Sequence, residues 1–530
     1  MQLIENLKLE EKVYKEKLEN GMTVMIIPRE NTQKKYVIWG THYGSNESKF
    51  VVPGEEDATE VPKGVAHFLE HKMFEQEKGP NSLDVLTALG VDANAYTTND
   101  HTAYLFECTD KFYEALDELM DYVQHPYFTD ENVEKEKGII GQEIMMYDDY
   151  PEWKVYLNTL EAMYHNHPVK LDITGTIETI SHIDKEVLYK CYNTFYNPSN
   201  MVLVVCGDFK PDEIIEEIKD RLVLKEASGE IKRIYPEEPR NVVKSYVEQK
   251  MEVSMPLFTI GIKDTPSEEK VRKHIAVEII LNMLLGRSSK LYKELYGQGI
   301  IFNQPSLEYE FTDGYAHVLI TGQATDPKKV FEKLKKEIKS LNENGLNEEE
   351  FSRIKKMIYG GYVKEYNDVA ETARMFLADF FKGINSFDYI DEMNSVNVEY
   401  GHQILKETFM CTHINLIKYL SANICELARN VWTFQRPEKS SGFYMYYKDD
   451  SIYDQFGLNS FAENYDSDSH DNIFYHNFFA NLFNFHFWDG LKWSMNFVNE
   501  LILNYNKNTN NSLDEIVITF LNKNKINKYY

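Results

Sequence analysis

An internal duplication constrains this chain more than any other feature of its 530 residues. Residues 102–119, TAYLFECTDKFYEALDEL, and 315–334, YAHVLITGQATDPKKVFEKL, share one order: a strand, a short polar turn, and a helix opening on a charged residue. Further on, TDENVEKEKGIIGQEIMMYDD at 129–149 lines up with NEEEFSRIKKMIYGGYVKEYND at 347–368, so that Val133, Ile140 and Tyr147 match Phe351, Ile358 and Glu365. The offset is 351 − 133 = 218 residues. A unit of that size buries a core of its own, so the chain is expected to build two like halves rather than one large domain.

Each half mixes strands with long helices. Met22–Ile27 and Tyr36–Tyr43 alternate apolar and polar side chains as strands do, and 64–76 and 81–89 carry helical periods. Ala93–Thr97 and Thr102–Glu107 read as a hairpin, 110–124 and 130–148 as amphipathic helices, and MVLVVCGDF from Met201 as a buried strand. The second copy offers strands at Leu257–Lys263 and Tyr315–Thr321 and helices at 270–285 and 327–341. The pattern predicts an α+β protein of two homologous, mixed α/β sandwich halves. The polar, proline-bearing run at Lys225–Arg240 separates them. Expected boundaries are 1–232, 233–408, and an extension at 409–530 rich in Asn, Phe, Tyr and His, in which the stretch beginning CTHINLIKYL reads as a helix.

Charge and composition exclude other classes. The net charge is 57 − 85 = −28, against the basic footprint of a nucleic-acid binder. No apolar run of about 18 residues offers a membrane span, and the charged first twenty residues have no apolar signal region. The five cysteines (Cys108, Cys191, Cys206, Cys411 and Cys425) are sparse and include no C-x-x-C, which suits a reducing compartment. A cytoplasmic protein is expected.

One motif carries chemistry. Gly64-Val-Ala-His67-Phe-Leu-Glu70-His71 contains H-x-x-E-H on a predicted helix. His67 and His71 are four apart, so both imidazoles project from one face, the separation two ligands of a tetrahedral zinc need. Glu70 borders that face without pointing along it, which places it to reach a zinc-bound water rather than the metal. A third protein ligand is required, and Glu143 on the later helix is the best candidate, with Glu136 two turns earlier on nearly the same face. By spacing alone both are more readily read as solvated helix carboxylates, as most such glutamates are. The duplication sharpens the choice, because the same face of the second copy reads Ile354 and Gly361, and HIAVEII at 274–280 lacks the second histidine.

The run Gly64–Glu75, then Asn94-Ala-Tyr-Thr97, then the stretch from Glu134 to Ile144 together resemble the pitrilysin/insulinase family of zinc peptidases, nearest its bacterial processing-peptidase-like branch. The resemblance covers about 10–408. It implies a clamshell of two halves around a closed chamber and one Zn2+ per chain on His67, His71 and Glu143. It further implies Glu70 as general base and Glu136 as a carboxylate behind the site. Asn94, Ala95 and Tyr96 would lie on an edge strand that takes a peptide substrate as an added strand. One departure stands out: active members carry an arginine and a tyrosine seven apart, where this chain has Tyr296 and, nearby, Phe302. The expected function is therefore a zinc endopeptidase or oligopeptidase acting on peptides or unfolded segments, completed by a homologous companion that supplies the Arg/Tyr pair. The alternative is a non-catalytic or weakly active subunit of a heteromeric processing peptidase.

Overall fold

The structure, a computed structural model, describes residues 1–223 and 229–409 and the strand Ile414–Ser421. In the first half, β1 (Gln2–Asn6), β2 (Glu11–Lys17), β3 (Thr23–Pro28), β4 (Lys35–Thr41), β7 (Asp92–Thr97), β8 (Thr102–Cys108) and β9 (Met201–Gly207) form one sheet in the order β1-β2-β3-β9-β4-β8-β7. Between them in sequence, β5 (Lys49–Val51) and β6 (Ala58–Glu60) join β10 (Lys232–Arg233) in a small second sheet. Within the seven-stranded sheet only β3 and β9 pair in parallel, the arrangement open to a strand returning after a long helical excursion. The hairpin β1–β2 falls in the charged start, where no apolar alternation announces it.

Alternation decides which face each strand residue serves. Val24 and Ile26 point into one core with Phe68, Leu69, Leu86, Leu116 and Leu119, contributed by α1 (Val65–Lys72), α2 (Ser82–Ala88) and α3 (Phe112–Gln124). Met25 and Ile27 point into a second core on the opposite face. That second face is covered not by the first half but by the helix Val369–Phe381 of the second, through Ala373, Phe376 and Leu377. Burial on both faces explains why MVLVVCG reads as an unbroken apolar run. Gly40 makes the contact possible: a Cβ there would lie 2.9 Å from Leu377 and 3.0 Å from Phe381.

The second sheet repays the loan. Its strands β11 (Tyr246–Met251), β12 (Leu257–Asp264), β13 (Ser306–Phe311), β14 (Ala316–Gln323) and β15 (Ile414–Ser421) run in the order β11-β15-β12-β14-β13. One face packs on the Lys270–Leu285 helix through Ile260, Ile262, Val318 and Ile320. The other receives Leu160 and Met163 at the end of α5 (Pro151–Met163), a helix of the first half. In the duplication α5 follows α4 (Asp130–Asp148) as Val369–Phe381 follows Glu348–Glu365, so the halves exchange equivalent helices.

Strand β15 corrects the expectation of a helix beginning at 411, and it carries the second sheet beyond residue 408. The remainder of the predicted extension, 422–530, lies outside the described residues. Among the described residues no helix is long and apolar enough to cross a membrane.

Candidate metal centre

Two helices build the centre. Helix α1 starts at Gly64, whose φ of 92° suits glycine and whose Cβ, were there one, would meet the Thr174 carbonyl oxygen at 2.6 Å. The long helix α4 begins with a reciprocal cap: the Asn132 amide donates to Thr129 Oγ1 at 3.1 Å, and the Thr129 amide donates to Asn132 Oδ1 at 2.8 Å. Where α4 crosses α1, its Glu143 faces both histidines. Glu143 Oε2 lies 3.6 Å from His67 Nε2 and 3.6 Å from His71 Nε2. The imidazole centroids are 4.5 Å apart. Donor atoms of His67, His71 and Glu143 all fall within 4.8 Å of one another, the one such group among the described residues.

Behind this trio stands a buried ionic chain. His71 Nδ1 is 3.0 Å from Glu136 Oε1. An ionised carboxylate only accepts, so His71 donates from Nδ1 and keeps the Nε2 lone pair free on the Glu143 side. Glu136 Oε2 is 3.7 Å from the ammonium of Lys72, which is itself paired with Glu75 and wholly buried. Burial opposes ionisation of Glu136, but the His71 bond and the nearby cations outweigh it and hold its carboxyl below the ordinary value. For His71 burial works downward, yet the Glu136 bond and the charges of Glu70, Glu136 and Glu143 raise it overall. Burial, with the charge of His71, pushes His67 down to about 3. Burial raises both Glu70 and Glu143.

Glu70 lies beside the donors, not among them. Its Oε2 accepts a 2.7 Å hydrogen bond from Thr97 Oγ1 at the end of β7. Among the described residues that strand is the last of its sheet and pairs on one side, with β8. Ala95 and Thr97 point toward the α1 side, while Asn94 is exposed at the edge. Tyr96 turns to the opposite face and packs into the cluster beneath Val369–Phe381, so its side chain is separated from the metal donors. Sequence inspection missed Lys72 and Thr97. Both stand inside the quoted motifs, but only the three-dimensional arrangement shows what they touch.

The second half lacks the trio. His274 takes the place of His67, with its Nδ1 3.1 Å from Tyr389 Oη, and Glu278 takes the place of His71, accepting from Tyr362 Oη at 2.5 Å. Ile354 is buried apolar where Glu136 stands, and Gly361 replaces Glu143. A cavity of about 550 Å³ occupies the corresponding place. Tyr296 and Phe302 are both exposed.

Two imidazoles and a carboxylate on crossed helices, with one imidazole oriented by a second carboxylate, are a donor set zinc takes, and they fit it here. The two matched halves and this donor group define a duplicated α+β protein with a metal-type donor set in one half. Comparison places it further: residues 50–177 match the profile described as Insulinase (Peptidase family M16), and 182–358 match Peptidase M16 inactive domain. An uncharacterized zinc protease of Bacillus subtilis, YmfH, is 36% identical over 421 residues, which is 78% of this chain and 98% of that protein. The crystal structure of an M16-like peptidase from Alicyclobacillus acidocaldarius is 34% identical, with a TM-score of 0.75 over 79% of this chain and 99% of that one. A protease from Helicobacter pylori, 18% identical, shares the fold at a TM-score of 0.66, covering 77% of this chain and all of that one (100%). The chain belongs to the insulinase family, peptidase family M16.

Proposed function

We propose that this chain is the zinc-bearing subunit of an endopeptidase or oligopeptidase that cleaves peptides and unfolded segments in a closed chamber, cytoplasmic as its sparse cysteines suggest. The observation that carries the reading is the convergence of His67, His71 and Glu143 with Glu70 beside them and not among them. These three residues would hold one zinc per chain, and Glu136 would orient His71. When bound, zinc supplies Lewis-acid polarisation of the scissile carbonyl and lets water act as a nucleophile near neutral pH. Glu70 takes the proton from the attacking water and returns it to the leaving amine. Burial that raises Glu70 brings its basicity closer to that task. The free edge of β7, at Asn94, Ala95 and Tyr96, offers backbone groups to an extended peptide.

Tyr296 and Phe302 offer no arginine–tyrosine pair, so a homologous companion supplies the donors that stabilise the transition state. The same substitution favours the second reading, a non-catalytic subunit of a processing complex. The test is hydrolysis of an unfolded peptide mixture by the zinc-loaded chain, alone and with a companion carrying R-x6-Y. Slow cleavage alone, accelerated on the order of 10²-fold by the companion and abolished by E70Q with zinc retained, is the expected result. Zinc binding without cleavage in either mixture would leave the non-catalytic reading standing.

A further inference from the structure

Thr97, at the end of β7, stands between a carboxylate and a second hydroxyl. Its Oγ1 lies 2.7 Å from Glu70 Oε2 and 3.3 Å from Thr102 Oγ1. Thr97 and Thr102 are directly paired across the mouth of the β7–β8 hairpin. Thr102 is fully buried and donates to the Tyr43 carbonyl oxygen at 2.8 Å. Because a carbonyl cannot donate, the single proton of Thr102 is committed to Tyr43, and its oxygen is left only to accept. Thr97 therefore receives no proton from Thr102, and its own goes to the nearer and charged acceptor, Glu70.

From this geometry we infer that Thr97 is a positioning residue for Glu70, with Thr102 and the Tyr43 carbonyl setting the direction of its hydroxyl. The inference rests on Glu70 being the general base. A β-branched residue in a strand has a stiff χ1, so its hydroxyl is a fixed point. Glu70, on a short helix, has three side-chain torsions to restrain. Bonding Oε2 to the sheet restrains the rotation of the carboxylate and leaves Oε1 to meet water.

The duplication supplies an internal control. The hairpin β13–β14 also has a four-residue loop, and its last rung pairs Phe311 with Ala316, matching Thr97 with Thr102. There Val277 stands in the place of Glu70. The hydroxyl pair is present in the half that has the carboxylate and absent from the half that does not.

The test compares T97V, T97S and T97V/E70Q with the parent protein, in complex with its companion where the chain alone is slow. T97V should lower kcat about 10–100-fold with KM within about twofold and zinc content unchanged, and T97S should recover most of the loss. T97V/E70Q should be no slower than E70Q, because Thr97 acts through Glu70. Crystal structures give a readout independent of turnover: one Glu70 rotamer in the parent, a displaced or split carboxylate in T97V. T97A serves the same comparison if valine disturbs folding. Full kcat in T97V with Glu70 unmoved would overturn the inference, as would zinc loss in T97V, which would make Thr97 a structural support of α1. An active E70Q would instead overturn the assignment of Glu70 itself.

Discussion

The two halves were built from one plan and now do different things with it. Helix α1 of the first carries His67, Glu70 and His71 facing Glu136 and Glu143. The Lys270–Leu285 helix of the second carries His274, Val277 and Glu278 facing Ile354 and Gly361. Four of these five positions differ: Glu70, Glu136 and Glu143 give way to Val277, Ile354 and Gly361, and the His71 imidazole to the Glu278 carboxylate, so the set of two imidazoles and a carboxylate is broken. The second half has a cavity in which Tyr389 is hydrogen-bonded to the retained His274 and Tyr362 to Glu278, the residue in the place of His71. The frame, by contrast, stayed reciprocal, each sheet being covered by a helix of the other half. One shared packing frame thus holds two copies of which only the first carries the donor set.

The exchange of helices yields the largest expected effects. Leu377 is fully buried against the first sheet and Leu160 against the second. L377A and L160A should each cost about 2–5 kcal/mol in urea unfolding. Each should weaken amide protection in both sheets together, because each helix belongs to one half and covers the other. Protection lost from one sheet alone would break the picture of a reciprocal frame.

Asp379 lines the cavity of the second half, and burial, aided by the charges of Asp388 and Glu365, pushes it up to about 6 despite a 2.7 Å bond from Ser386. The ordinary value is 3.8, so the folded protein holds this proton more tightly than the unfolded chain. Its effect on stability is nil below about pH 4 and becomes a loss as pH rises toward 6, at most roughly 3 kcal/mol. D379N should remove that slope and gain on the parent between pH 4.5 and 7. A difference that stayed constant over that range would mean Asp379 is not the titrating group.

E136Q probes the first half's counterpart of Ile354. It should weaken zinc binding about 10–100-fold, or ~1.4–2.7 kcal/mol, measured against a competing chelator. I354A should cost stability and leave zinc affinity untouched. An effect of I354A on the metal would erase the distinction between the halves.

Much of this was legible in the residues themselves. His67, Glu70 and His71 are close in sequence, so helical geometry alone brings them together, and the duplication pointed to Glu143 by showing Gly361 in its place. Strands β3, β4, β7 and β8 of the first half followed from the local pattern and β9 from its apolar run, while in the second half only β12 and β14 were legible and β11 and β13 were not. The exchanged helices did not, because an amphipathic pattern such as that of Val369–Phe381 shows that a face is buried but not which sheet buries it. Likewise, β1 at the sheet edge and its neighbour β2 are largely polar, and β15 follows a break in character that pointed elsewhere. Thr97 and Lys72 depend on partners distant in sequence. Tyr96, taken with its motif as one contact surface, is split from its neighbours by the alternation of a strand.

The central claim is that the first half alone holds the metal, and counting zinc tests it most directly. Purified protein should contain about one zinc per chain, H71A essentially none, and H274A the full amount. Zinc retained by H71A but lost from H274A, or two zinc ions per parent chain, would contradict the account.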